Sequence, residues 1–245
     1  ITRREGRGIE TGLLIALVVP SMARVRRAGK RTVCLTNVKG VMTAIQAYAV
    51  EHNNSIPYGP TAPPPSPSNL YPVTGMVTSQ LSLSGGNPVG LGLLIQDHLG
   101  RNPEILFCPG ADNPIDAKRE LANVGKKRAI NSYFYRHGSN TLTTLTTPRD
   151  TWDDRTRLEN LGVNSQGQRI RALVVDQNFL TDVPLAAFGI IDRTNHKARR
   201  VNAGFADGHA ETRDNIDGEY TVDVGRFPFD GPKKIIKVFE NLDQP

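Results

Sequence analysis

Four residues near the C-terminal end have the types and spacing to do chemistry: His196, Asp207, Gly208 and His209. Histidine and carboxylate are competent metal ligands, so His196, Asp207 and His209 could hold an ion or a polar ligand. Asp214, Asp217 and Glu219 follow closely and could supply further oxygen ligands, which makes calcium the cation to consider and Asp207, Asp214 and Asp217 its candidate ligands. Asp214-Asn-Ile-Asp-Gly218 lacks the spacing of an EF-hand loop. The competing reading is structural. Asp207-Gly208 between two short β-prone runs is a strong hairpin signal, with Gly208 at positive φ and His196 bonding the loop that enters the first strand. The sequence favours this second reading.

Signatures of catalysis are missing from the sequence. It contains no Gly-x-Ser-x-Gly elbow, no His-Glu-x-x-His helix and no phosphate-binding Gly-x4-Gly-Lys-Ser/Thr loop. Asp153-Asp154 sits in a polar stretch beside Arg155 and Arg157, which suits a solvated loop better than an acid/base couple. Neither an enzyme nor a resident cofactor is expected. Cys34 and Cys108 permit one disulfide, or two free buried thiols.

The elements that must position these residues begin with a long helix. Leu13, Leu14, Ile15, Leu17, Val18 and Val19 lie in an apolar run that ends at Pro20. Arg24, Arg26, Arg27, Lys30 and Arg31 follow as a basic collar, and then a stripe of Cys34, Val38, Val41 and Ile45. A helix over 11–52 would be about 60 Å long, kinked or locally melted at Ala16–Val19 by Pro20 and stopped by Asn53-Asn54-Ser55 before Pro57. The apolar run is roughly half the length of about 20 residues that a membrane span needs. No membrane crossing is expected of it, and any membrane contact would be transient. Residues 1–31 hold eight Lys/Arg against two Glu, and the remainder 22 against 22, so the net charge of +6 belongs to the arm. A basic face spread over the whole surface, as nucleic-acid binding requires, is not expected.

The organisation read from this is an arm and assembly helix over 1–52 and a sheet domain over 53–245, with a Pro-rich arm at 57–90 and the hairpin motif at 196–213. Strands are expected at Ile105–Cys108, Ala129–Arg136, Arg171–Asp176, Val201–Ala206, His209–Arg213, Tyr220–Val224 and Lys234–Phe239, and a short helix at Gly90–His98. The fold class is α+β, with the helix laid on an antiparallel sheet. Val201, Ala203 and Phe205 alternate with Asn202, Gly204 and Ala206, so one face of that strand should pack under Val38, Val41 and Ile45.

Three stretches together carry a resemblance: the run from Leu13 through the collar to Cys34-Leu-Thr-Asn-Val-Lys-Gly40, then Asn102-Pro-Glu-Ile-Leu-Phe-Cys-Pro109, then His196 to Asp207-Gly208-His209. The chain resembles the type IV pilin and type II secretion pseudopilin superfamily. Within it, it is most similar to the planctomycete-type group with a prepilin-type N-terminus and a C-terminal His-x9-Asp-Gly motif, here with ten intervening residues. The resemblance implies an extracellular or cell-surface filament or tube built from copies of the chain, with other pilin-like subunits as further partners. Leu13, Leu14, Ile15, Leu17, Val18, Val19, Arg24, Arg27 and Arg31 would form the assembly interface. An exported protein of this kind is expected to join Cys34 to Cys108. The alternatives are a secreted metal- or carbohydrate-binding module and a minor pseudopilin of a secretion machine.

Overall fold

The computed structural model describes residues 5–57, 78–83, 85–136, 157–182, 191–226 and 231–244, with only the backbone of 5–21, 23, 78 and 232. The side chains of Leu13 to Val19, the Pro60–Pro67 stretch and Asp153-Asp154 lie outside the described residues.

Helix α1 spans Glu5–Glu51. Its backbone is helical through Pro20, so the melting expected at Ala16–Val19 does not occur. Missing one hydrogen bond costs a helix less than ending it does, because the flanking turns remain paired. From Arg24 to Lys30 every side chain is exposed; the first buried one is Cys34. Cys34, Val38, Val41, Met42, Ile45 and Ala49 are then buried at the three- and four-residue spacing of one helical face. The helix stops where Asn53 and Asn54 take positive φ, 53° and 64°, a conformation asparagine tolerates better than most residues.

The main sheet has five strands in the order β1-β2-β3-β5-β6, all antiparallel. They are β1 Thr78–Ser82, β2 Ala129–Tyr135, β3 Ala172–Asp176, β5 Arg200–Phe205 and β6 Ala210–Asp214. Two short strands, β4 Phe179–Leu180 and β7 Val222–Asp223, pair in parallel. Two further helices complete the fold, α2 Ala117–Asn123 and α3 Gly231–Asp243. The coarse expectation of an α+β chain, one long helix on an antiparallel sheet, holds.

A core lies on each side of the sheet. The α1 side gathers Val38, Met42, Ile45, Tyr133, Tyr135, Leu173 and Val174. The α3 side gathers Phe134, Val175, Val201, Ala203, Phe205, Phe239 and Leu242. Leu173 and Val174 face the same core because the register shifts between Ala172 and Val174, which breaks the strict alternation of β3.

This arrangement corrects the expected packing of β5. Its Val201/Ala203/Phe205 face lies against α3, and the opposite face meets α1. Gly204 makes that approach possible: a Cβ there would sit 2.6 Å from Met42 Cγ and 3.0 Å from Val38 Cγ1. The larger side chains therefore take the roomier side.

Two strand expectations fail. Lys234–Phe239 lies inside α3, whose buried residues Ile235, Ile236, Val238, Phe239 and Leu242 follow helical spacing while Lys233, Lys234 and Lys237 face water. An apolar-rich run this short does not by itself distinguish a strand from a helix. Residues 105–108 do not form a strand. Pro103–Leu106 is a single 3-10 turn, started by a proline whose φ is pre-set for a first helical position, and Phe107 after it is extended. Tyr220–Val224 reduces to the two residues of β7, and Gly90–Leu94 is a 3-10 turn. Helix α2 and strand β1, at the end of the Pro-rich stretch, were not expected.

Asp243 locks α3 to the sheet. Its fully buried carboxylate accepts from Arg136 Nη1 at 2.8 and 3.1 Å, from Asn164 Nδ2, and from the backbone N–H groups of Arg171 and Ala172. Burial lowers the Arg136 pKa, and Asp243 counters that shift.

Cys34 and Cys108 are joined, with Cα atoms 5.3 Å apart and a sequence separation of 74. Two outcomes are expected. Gly204→Val should overpack the α1–sheet contact and lower stability by about 1–3 kcal/mol in chemical denaturation, with the disulfide intact. Replacing both cysteines by alanine should cost about 4 kcal/mol by the chain-entropy model, read as a lower denaturation midpoint.

Candidate functional site

The sequence grouped His196 with Asp207-Gly208-His209, and the fold places them at opposite ends of β5. At the far end, Gly208 has φ +90° and the turn closes through Gly208 N–H to Phe205 O at 2.8 Å. The Asp207 carboxylate bonds the His209 ring at 2.5 Å, and this contact lowers its pKa against the upward push of desolvation. The His209 ring stacks on Phe205 at 4.3 Å. Gly208 also lies against Gln46 of α1, where a Cβ would come within 2.5 Å of the amide. This end of the strand is a packed turn.

The fold does not bring the three calcium candidates together. Asp214, at the other end of the hairpin, pairs with Arg200 at 2.7 Å. Asp217 lies in the turn that follows, whose frame is Asn215: its Nδ2 donates to Ala198 O and Thr221 Oγ1, and its Oδ1 accepts from Tyr220 N–H. Among the described residues Asp207, Asp214 and Asp217 belong to no group that could hold an ion. Two other groups have metal-ligand geometry. In one, Cys34 and Cys108 join His196, but their sulfurs are committed to each other. The other is Glu51, His52 and His98 at the end of α1. There His98 Nε2 lies 3.1 Å from Glu51, and Tyr48 O accepts from His52 Nδ1, which leaves His52 Nε2 with its lone pair free.

His196 is the centre of the more elaborate arrangement. With Lys197 and Ala198 it forms a turn in which all three residues have positive φ, 55°, 60° and 51°. Each such residue costs about 1–2 kcal/mol. The turn is held by His196 N–H to Gly110 O, by the Asp112 carboxylate accepting from Lys197 N–H at 2.6 Å, and by Asn215 on Ala198 O. The imidazole fits flat against Gly110, where a Cβ would meet it at 2.3 Å, and its side chain is 5% exposed.

Behind His196 lies a polar node that the sequence did not disclose. Asp176, the last residue of β3, is wholly buried. Its carboxylate accepts from Asn195 Nδ2, Asn202 N–H and Asn202 Nδ2 at 2.8–3.0 Å. Asn202 Nδ2 also lies 3.3 Å from His196 Nε2, and Thr212 Oγ1 donates to Asn202 Oδ1, which fixes the amide. His196 Nε2 thus accepts a hydrogen bond. The ring is neutral with its proton on Nδ1, and Nε2 lies 3.5 Å from Cys108 Sγ and 3.8 Å from Asp176. The one signal in the sequence was a carboxylate ending a buried β-branched run.

Burial, opposed by the three donors, pushes Asp176 up to about 7. Burial, then the positive charge of Arg31, brings His196 down to about 4, with Lys30 adding to the effect and Asp112 opposing it. Alone, the raised Asp176 would make stability fall as pH rises from about 4 to 7. Alone, the lowered His196 would make stability fall as pH drops from 6.5 to about 4. Together they nearly cancel. Between pH 4 and 6.5 the folded pair carries one proton, on Asp176, and the unfolded pair also carries one, on the imidazole.

The recess in front of His196 has a volume of about 710 Å³. From α1 it is lined by Arg24, Arg27, Lys30 and Arg31, and from the turn and β5 by Lys197, Arg199 and Arg200. Of the expected interface residues, Arg24, Arg27 and Arg31 are therefore gathered here. Asp112 and Asp214 also line it, each already bonded to the turn or to β5.

The paired titration gives a test. The wild-type melting temperature should be nearly flat from pH 6.5 to 4.5. Asp176→Asn should remove the compensating proton, so that the variant loses about 2 kcal/mol over the same range, a figure reduced for screening from the open recess. Parallel melting curves for the two proteins would contradict the assignment.

Compared with protein-family models, with curated proteins and with solved structures, the chain matches none.

Proposed function

We propose that this chain is a structural subunit that polymerises through the N-terminal part of α1 into a pilin-like extracellular filament or tube. The observation that carries the reading is the division of α1 at Cys34. Beyond that residue the helix is built into the domain; before it, from Met22 on, the described side chains are exposed apart from the half-buried Arg31. Met22 is 51%, Val25 70% and Val33 49% exposed, an apolar stripe that the chain's own sheet leaves uncovered. In sequence, Leu14 and Val18 precede Met22 at four-residue steps, so the apolar pattern continues towards the N-terminus.

Covering such side chains with a second copy is worth about 1.5–3 kcal/mol for each large one, before the entropy of association is subtracted. A helix that docks against the same face of a copy displaced along its axis makes a contact that does not close. Repeated, it generates a helical array. Among the described residues no helix is long and apolar enough to cross a membrane.

Leu17→Glu places a charge in the apolar run without touching the described core. It should leave the disulfide and the melting temperature unchanged and abolish filaments in negative-stain micrographs. Normal filaments from this variant, or monodisperse wild-type particles under all conditions, would defeat the proposal.

A further inference from the structure

The recess in front of His196 gathers more positive charge than the fold needs. Seven Lys/Arg side chains and two carboxylates line it; with Arg27 set aside, the excess is four cations (6 − 2) in about 710 Å³. Both carboxylates are engaged: Asp112 by Lys197 N–H and the Thr194 hydroxyl, Asp214 by Arg200. Among the described residues no ion pair is made by the side chains of Arg24, Lys30, Arg31, Lys197 or Arg199. Like charges held together repel, and the repulsion is strongest in a concavity, where low-dielectric walls focus the field. The cations come from elements far apart in sequence, so local composition does not account for their meeting. Asp176, Asn195 and Gly110 position the turn that supplies Lys197 and Arg199, and the disulfide positions the stretch of α1 that supplies Lys30 and Arg31.

We propose that this recess binds a compact multivalent oxyanion, a ligand carrying two or more phosphate or sulfate groups, clamped between α1 and the Lys197–Arg200 segment. Guanidinium groups dominate the lining, and their planar forks match the oxygen pairs of phosphate and sulfate better than a single ammonium does. A compact ligand fits because the charge is local. Outside residues 1–31 the sequence balances, 22 against 22, so beyond the arm it carries no net basic surplus of the kind a nucleic-acid backbone would follow. The neutral imidazole forms the inner wall, beside the disulfide. Such a ligand would tie the arm to the domain, so binding is read as thermal stabilisation as well as heat. The proposal stands independently of polymerisation.

The test uses the whole chain, with tripolyphosphate and sucrose octasulfate as probes, in calorimetry and thermal melts at low salt and at about 0.15 M salt. At low salt, wild type should bind at least one probe more tightly than about 1 mM and melt higher in its presence. The tighter probe identifies phosphate or sulfate as the preferred group. Lys197→Gln/Arg199→Gln removes two exposed cations of the recess and should weaken binding at least tenfold, with the ligand-free melting temperature unchanged. Lys118→Gln/Lys126→Gln removes the same charge elsewhere and should weaken binding less than twofold. Absence of binding to both probes at low salt would overturn the proposal, as would equal losses in the two variants, the mark of attraction to net charge alone.

Discussion

The Cys34–Cys108 bond is the constraint on which the other features depend. It fastens α1 at the residue where the helix passes from exposed to buried, and fastens it to the extended segment after the Pro103 turn. That point sets how much of α1 belongs to the domain. It also sets the height at which Lys30 and Arg31 stand over the His196 turn, because one helical turn separates them from Cys34. His196 packs against the same bond, so the strained turn, the start of β5 and the anchored helix share one support.

Strand β3 shows a second principle, the use of buried carboxylates as fixed points. Asp243 receives the N–H groups at its start, and Asp176 is its last residue. Each takes several donors, which is the condition under which a buried carboxylate is tolerable. They differ in charge balance. Asp243 faces the guanidinium of Arg136, whereas Asp176 has amides, a backbone N–H and an uncharged imidazole. Among the described residues no cation lies at hydrogen-bonding distance of Asp176, and burial pushes its pKa up to about 7.

Much of the fold was readable because it rests on local signals. The helical stripe from Cys34 to Ala49 is buried, Asn53 and Asn54 end the helix, and Asp207-Gly208 makes its turn. What the sequence concealed was decided at long range. Lys234–Phe239 is a short apolar-rich run, and only the longer pattern to Leu242 distinguishes a helix. The side of β5 that meets α1 was set by Gly204, a residue with no hydrophobicity to advertise it. His196 and Asp207 are near in sequence but flank one strand, and a strand separates what it joins. Asp176, Asn202 and Asp112, which hold the His196 turn, carry no spacing that would have linked them.

The disulfide has a consequence for how the chain matures. With two cysteines, no wrong intramolecular pairing exists. The only misoxidised products are links between chains. Cys34 sits next to a basic collar that repels its counterpart on another copy, while on the proposed reading the exposed apolar stripe just before it draws one in. Oxidation and encounter between copies therefore compete, and the outcome depends on protein concentration and on the ionic strength that screens the collar. Dilute, low-salt conditions favour the closed monomer, and crowded, high-salt conditions favour covalent dimers before the sheet has formed. In such a chain the order of events, bond first and encounter second, decides the yield of correctly closed protein.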